Sequence, residues 1–255
     1  MHTRPTGPIS DPPSAHEVAL RCFVLGRIVR YARSLRTANS RASEKLEDIR
    51  AQAVGALEPF VASISEDERF LLICPPLELA NEQISAAHSQ LDALQPLVWS
   101  IGHWPDLPPY DVEADLNLLD VSDSIASNDF LLNVRLRPAA AIERARATAE
   151  LWHWRSRTRQ LLETGDAPPI PPGMSQLGVS SYADLIRWTA EKTLRNGNID
   201  AVLDGDFVAF GKPYRDLTNR EWARVRCITV ERHYALNWLC GYAPDNQWDD
   251  TPTDT

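Results

Sequence analysis

Glycine is scarce in this chain, 11 in 255 residues. A sandwich or barrel of many short strands needs turn residues at close intervals, so an all-β fold is disfavoured and helix is expected. Cysteine is sparse too. Cys22, Cys74, Cys227 and Cys240 include no Cys-x-x-Cys pair, which speaks against a disulfide framework and leads us to expect free thiols and a cytoplasmic location. No apolar run reaches the roughly 18 residues of a membrane span. The opening stretch to Pro13 carries four prolines and no apolar core of the signal-peptide kind. A disordered, Pro-rich lead is expected over 1–15, then one helical domain over 16–255.

Positive charge is in short supply. The 26 Lys and Arg stand against 35 Asp and Glu, a formal charge of −9. Nucleic acid and an anionic membrane both need a basic footprint, and neither is expected as a partner. The charges are also segregated. Six arginines (21, 27, 30, 33, 36, 41) and no acid lie between Val18 and Ser43, whereas 71–133 hold ten acids and no Lys or Arg. Such segregation admits two readings: basic and acidic faces meeting inside the fold, or a surface that docks another, charged protein.

The motifs of common chemistries are absent. There is no Gly-x-Ser-x-Gly, no phosphate-cradling glycine loop and no His-Glu-x-x-His. Glu231 and His233, two apart, diverge by about 200° on a helix, and His88, His103 and His153 lie on other segments. No metal site and no cofactor is expected.

What is present is helical period. Val18, Cys22, Leu25 and Val29 predict a helix over 16–35, and Leu46, Ile49, Ala53 and Leu57 another over 42–58. Ser65 and Glu68 form a capping box for a short helix to Ile73. Ile84, Ala87, Leu91, Leu94, Val98 and Ile101 predict one helix over 79–101, bent where Pro96 deprives the Asp92 carbonyl of its partner. Pro138 opens a helix to about Glu163, with Ile142, Ala145, Ala149 and Trp152 inward and Arg146, Glu150, His153 and Arg157 on the opposite polar face. Residues 165–180 read as a Pro-rich surface loop. Ser181 caps a helix to Arg195, Asp204-Gly205 joins two strands of a hairpin, and Thr218 with Glu221 caps the last helix, to about Leu239. Lys212 is expected to be a solvated hairpin end. The fold class is therefore mainly all-α, a single-domain helical array with one small hairpin before the C-terminal helix.

The last helix and the tail after it hold the densest set of unusual residues. His233 and Asn237 share one face. If the tail folds back, Asp249 or Asp254 meets Arg232 or His233, and a carboxylate-held His can serve as a general base. The candidate catalytic residues are His233, Glu231 and Asp254. The candidate binding residues are Arg232, Asn237, Trp238, Trp248 and Asp249. The same groups can equally pin the tail and do no chemistry.

The run Glu231–Leu239, the stretch holding Gly205, Asp206, Phe207, Phe210, Gly211 and Lys212, and the closing Trp248–Thr255 together resemble the bacterial family catalogued as domain of unknown function 4272. Leu136-Arg-Pro138 with Trp152–Arg155, and Leu97–Gly102 with Leu107–Asp111, are similar to its middle motifs. The resemblance spans about 42–255. It implies a shared fold and brings no activity, substrate or catalytic residue.

Two functional classes follow. One is a non-catalytic binding or protein-interaction domain of adaptor or immunity type. The other is a hydrolase-type enzyme with His233 as base, Glu231 or Asp254 orienting it, and Arg232 holding an anion.

Overall fold

The computed structural model describes residues 7–38, 43–125 and 128–253. The protein is mainly α-helical, as the periodicity requires. Two long helices organise it. α1 (Ala15–Thr37) starts at a capping box: the Ser14 amide donates to Glu17 at 2.7 Å and the Glu17 amide to Ser14 Oγ at 3.3 Å. Val18, Cys22, Val24, Leu25, Ile28 and Val29 are all buried, so α1 is apolar around most of its girth and lies inside the protein. α2 (Ser43–Leu57), α3 (Glu66–Ile73), α4 (Asn81–Ser89) and α5 (Leu91–Ser100) follow, then α6 (Leu118–Ile125) and α7 (Asn128–Asn133). α1 packs against α2, α4, α5 and α6.

The second axis is α10 (Asn219–Leu239), which packs against α5 and against α8 (Ala139–Thr164). α5 touches both axes, and its ten residues are all buried. The main core runs through α1, α5, α8 and α10. A smaller one lies between the other face of α1 and Leu57, Leu72 and Ala87. Gly26 lets α6 close on α1: a Cβ there would fall 2.0 Å from Ser122 Oγ. Among the described residues no helix is long and apolar enough to cross a membrane.

Four details depart from expectation. The helix over 79–101 is two helices, and the break falls at Gln90, more than a turn ahead of Pro96; α5 begins its own ladder with the Leu94 amide on Gln90 O at 2.9 Å. The single hairpin is a three-stranded antiparallel sheet. β1 (Val202–Leu203) pairs with β2 (Asp206–Ala209), and β2 with β3 (Lys212–Pro213). Asp204 and Gly205 have φ of 50° and 76° at the first turn, and Phe210 and Gly211 have 53° and 71° at the second. Two adjacent positive φ values are those of a type I′ turn, and an aromatic at the second one hid it from the sequence. Lys212 is accordingly no free end: its Nζ lies 2.9 Å from Glu221, at the start of α10.

α9 (Tyr182–Arg195) runs as expected from the Ser181 cap, and the third detail is the loop before it. Tyr182 Oη donates to Pro168 O at 2.6 Å, tying down the Pro-rich loop. The fourth is the N-terminal lead, expected to be disordered. Its described part is docked: the Ile9 and Ser10 amides donate to Gly241 O at 2.9 and 3.0 Å. The charge segregation is partly internal. Arg27 and Arg30 pair with Asp120 and Asp123 on α6.

Candidate functional site

The tail does lie along α10, but the bonds that hold it are not ionic. Asn237 Nδ2 donates to Pro252 O at 2.7 Å, Trp238 Nε1 to Asn246 O at 2.9 Å, and Tyr234 Oη to Trp248 O. Trp248 packs edge-on against Tyr234 and Trp238 at 4.9 and 5.4 Å, with the Arg21 guanidinium over its ring. Asp249 reaches neither Arg232 nor His233. It accepts the Asp67 amide at 3.0 Å, at the positive end of α3. Asp254 lies outside the described residues.

Arg232 is 1% exposed and braces the loop after α5. Its Nη1 donates to Pro108 O and its Nη2 to Gln95 Oε1 and Val112 O, at 2.6, 3.1 and 2.9 Å, and its guanidinium lies over Tyr110. The guanidinium expected to hold an anion is therefore occupied by backbone carbonyls and Gln95. His233, also 1% exposed, has its Nδ1 3.0 Å from His153 Nδ1. His153 was expected on a polar outer face, but α10 packs across that side of α8. Burial, then the His153 and Arg146 charges, pushes His233 down to about 3. One imidazole donates and the other accepts. An enclosed ring cannot reach a substrate proton, so His233, Arg232 and the tail do not converge on a site.

Glu231 points elsewhere, toward α4. Ser89 Oγ lies 3.1 Å from its Oε1 and 2.7 Å from Ala86 O. Ser89 and Cys227, one turn before Glu231, line an open groove of about 660 Å³ between α1, α4, the start of α5 and α10. Volumes of about 300–1,000 Å³ are usual for ligand clefts. Arg33 and Arg36 line it from α1, His88 from α4, Asp92 from α5 and Arg224 from α10.

The groove is electrostatically polarised. Asp92 is 7% exposed and accepts the Ala114 amide at 3.0 Å. Burial pushes its carboxyl up to about 6 against the opposing pull of Arg232. Burial, with Asp92 adding to it against the Ser89 bond, pushes Glu231 up to about 7. Burial and then Glu231 and Asp92 push the Cys227 thiol up to about 11, which leaves it protonated and a weak nucleophile at neutral pH. At the other end, burial followed by Arg36 and Arg33 lowers His88. Among the described residues neither Asp92 nor Glu231 has a cation within ion-pair distance, and neither Arg33 nor Arg36 a carboxylate, whereas Arg224 pairs with Glu113. The other binding candidates, Trp238 and Trp248, border a small hollow of about 220 Å³.

Of this groove the sequence singled out only the arginine run as a whole; Glu231 lies beside it, bonded to Ser89. Asp92 sits inside an apolar helical stripe, and that position was its one available signal. Among the described residues no group of three or more His, Cys, Asp or Glu is placed to hold a metal. No family model matches the chain, and no curated protein or solved structure matches it.

Proposed function

We propose that this protein is a non-catalytic protein-interaction domain that docks a segment of another protein in the groove between α1, α4, α5 and α10. One observation carries this reading. Among the described residues most buried charges elsewhere have a partner of opposite sign, as in Arg21–Glu68 and Arg155–Asp206, while the buried Asp92 on the groove wall has none and Arg33 and Arg36 line the same groove without a carboxylate. Unpaired charge on a concave surface is a cost in the free protein that a complementary partner removes. The four free thiols fit a reducing, cytoplasmic setting. Likeness to the domain of unknown function 4272 family, read from the terminal motif, is compatible with this reading.

The hydrolase reading keeps one supporting observation, the Glu231 carboxyl titrating near neutral pH, where a general acid–base is most effective. It lacks a nucleophile: the Cys227 thiol is protonated, and the single Ser89 hydroxyl proton is shared between Ala86 O and Glu231. The docking reading is tested by capture from cells that make the protein, comparing wild type with Arg33→Glu/Arg36→Glu by quantitative mass spectrometry. A protein bound by wild type and lost at least tenfold from the variant is expected. An identical bound set for both overturns the reading.

A further inference from the structure

The two poles of the groove also specify what the docked segment carries, an inference that rests on the docking reading. We propose that the segment is an extended peptide with a basic side chain, an acidic side chain and an apolar one close together: the basic group meets Asp92, the acidic group Arg33 and Arg36, and the apolar group Leu35, Leu79 and Ile84 in the hollow beyond them. Asp92 is the strongest pointer. It is over nine-tenths buried, lines the groove, and has one backbone bond and no ion pair. The nearest guanidinium field is that of Arg232, whose Nη groups are occupied by carbonyls and Gln95. An ammonium or guanidinium from outside supplies the missing partner.

A ligand of one sign fits poorly. A polycation is repelled by Arg33 and Arg36, and a polyanion by Asp92; only mixed charge meets opposite charge at both poles. The groove also continues. Arg36 and Ser85 border a second hollow of about 530 Å³, whose other walls include Leu35, Leu79 and Ile84. A charged trough that continues along Leu35, Leu79 and Ile84 suits several successive side chains of a chain rather than a single small zwitterion.

The test uses the full-length protein and fluorescein-labelled decapeptides holding one Arg, one Glu and one Leu in both orders and at varied spacing, with Ala elsewhere, read by anisotropy. At least one arrangement is expected to bind at tens of micromolar. Replacing its Arg or Glu by Gln is expected to weaken binding tenfold or more, and so are Asp92→Asn and Arg33→Gln/Arg36→Gln in the protein. Asparagine still accepts the Ala114 amide, and the Arg→Gln change in the peptide tests the same contact on the unaltered protein should Asp92→Asn unfold. Binding by no arrangement, or equal binding of the charge-free peptide, overturns the inference. Free L-arginine competing as well as the peptide does so too, in favour of a small zwitterion. Flat peptide titrations with partner capture still lost in Arg33→Glu/Arg36→Glu would sink the peptide chemistry alone. Peptide binding with capture unchanged would sink the docking reading.

Discussion

Arg155 and Asp206, 51 residues apart, meet as a fork on a carboxylate: Nε donates to Oδ1 and Nη2 to Oδ2, both at 2.7 Å, with the side chains 2% and 1% exposed. Asp206 also accepts the Phe207 and Arg215 amides at 2.8 and 3.0 Å, so one carboxylate joins α8 to the small sheet and to the turn after it. Removing one member of a buried pair leaves an uncompensated charge and costs about 3–5 kcal/mol. Arg155→Ala and Asp206→Ala are each expected to lower the unfolding free energy by that amount, read as a lower urea midpoint. Arg155→Met/Asp206→Leu is expected to cost clearly less than the two single losses added. Full additivity in the denaturation series would show the two side chains to be independent.

His233 and Glu231 are expected to pull stability in opposite directions with pH. His233 falls from 6.5 in the unfolded chain to about 3 in the fold. Between those values the unfolded state binds the extra proton, so its contribution is complete above pH 6.5 and is lost as pH falls. The loss is about 1 kcal/mol per pH unit, and His233→Gln is expected to flatten it in urea curves taken from pH 7 to 5.

Glu231 rises from 4.5 to about 7. Here the folded state holds the extra proton, so stability is present below pH 4.5 and lost as pH climbs through 7. Glu231→Gln is expected to be more stable than wild type at pH 8, by about 1–2 kcal/mol once solvent screening is allowed for, and to differ little at pH 4.5. Equal stabilisation at both pH values would remove the titration as its cause.

The tail is expected to be held by aromatic packing rather than by charge. Trp248→Ala deletes the contacts with Tyr234, Trp238 and Arg21 and is expected to cost about 3–5 kcal/mol. Asp249→Ala removes only the bond to the Asp67 amide and is expected to cost at most about 1 kcal/mol. Thermal unfolding of the two variants side by side decides the point, and a reversed order would restore an ionic tail.

Gly26 and Ser122 form a close-packed pair. Gly26→Ala drives a methyl to 2.0 Å from Ser122 Oγ and 2.7 Å from its Cβ, an overpacking expected to cost about 1–3 kcal/mol. Ser122→Gly in the same chain is expected to recover most of that loss, because it removes both atoms the new methyl meets. A double-mutant cycle by urea denaturation measures the recovery.

What the sequence determined by itself was local. The capping boxes at Ser65, Ser181 and Thr218 and the Asp204-Gly205 turn located the starts of α3, α9 and α10 within a residue and the first hairpin, because caps and turns are settled among residues a few positions apart; the break at Gln90 and the bounds of α6 and α7 had no such signal. It also brought the tail back to α10. The tertiary structure alone decided what each polar residue does. Arg232 and His233 carry the residue types of a site, yet one braces carbonyls of the 108–112 loop and the other faces His153 from 80 residues away. Asp92 read as one polar position in a core helix, and became one wall of a groove only when α1, α4 and α10 closed around it. Helical period shows which face of a segment is buried; the partners of a buried charge depend on which other elements pack there, and that packing is set over distances in sequence at which no local pattern survives.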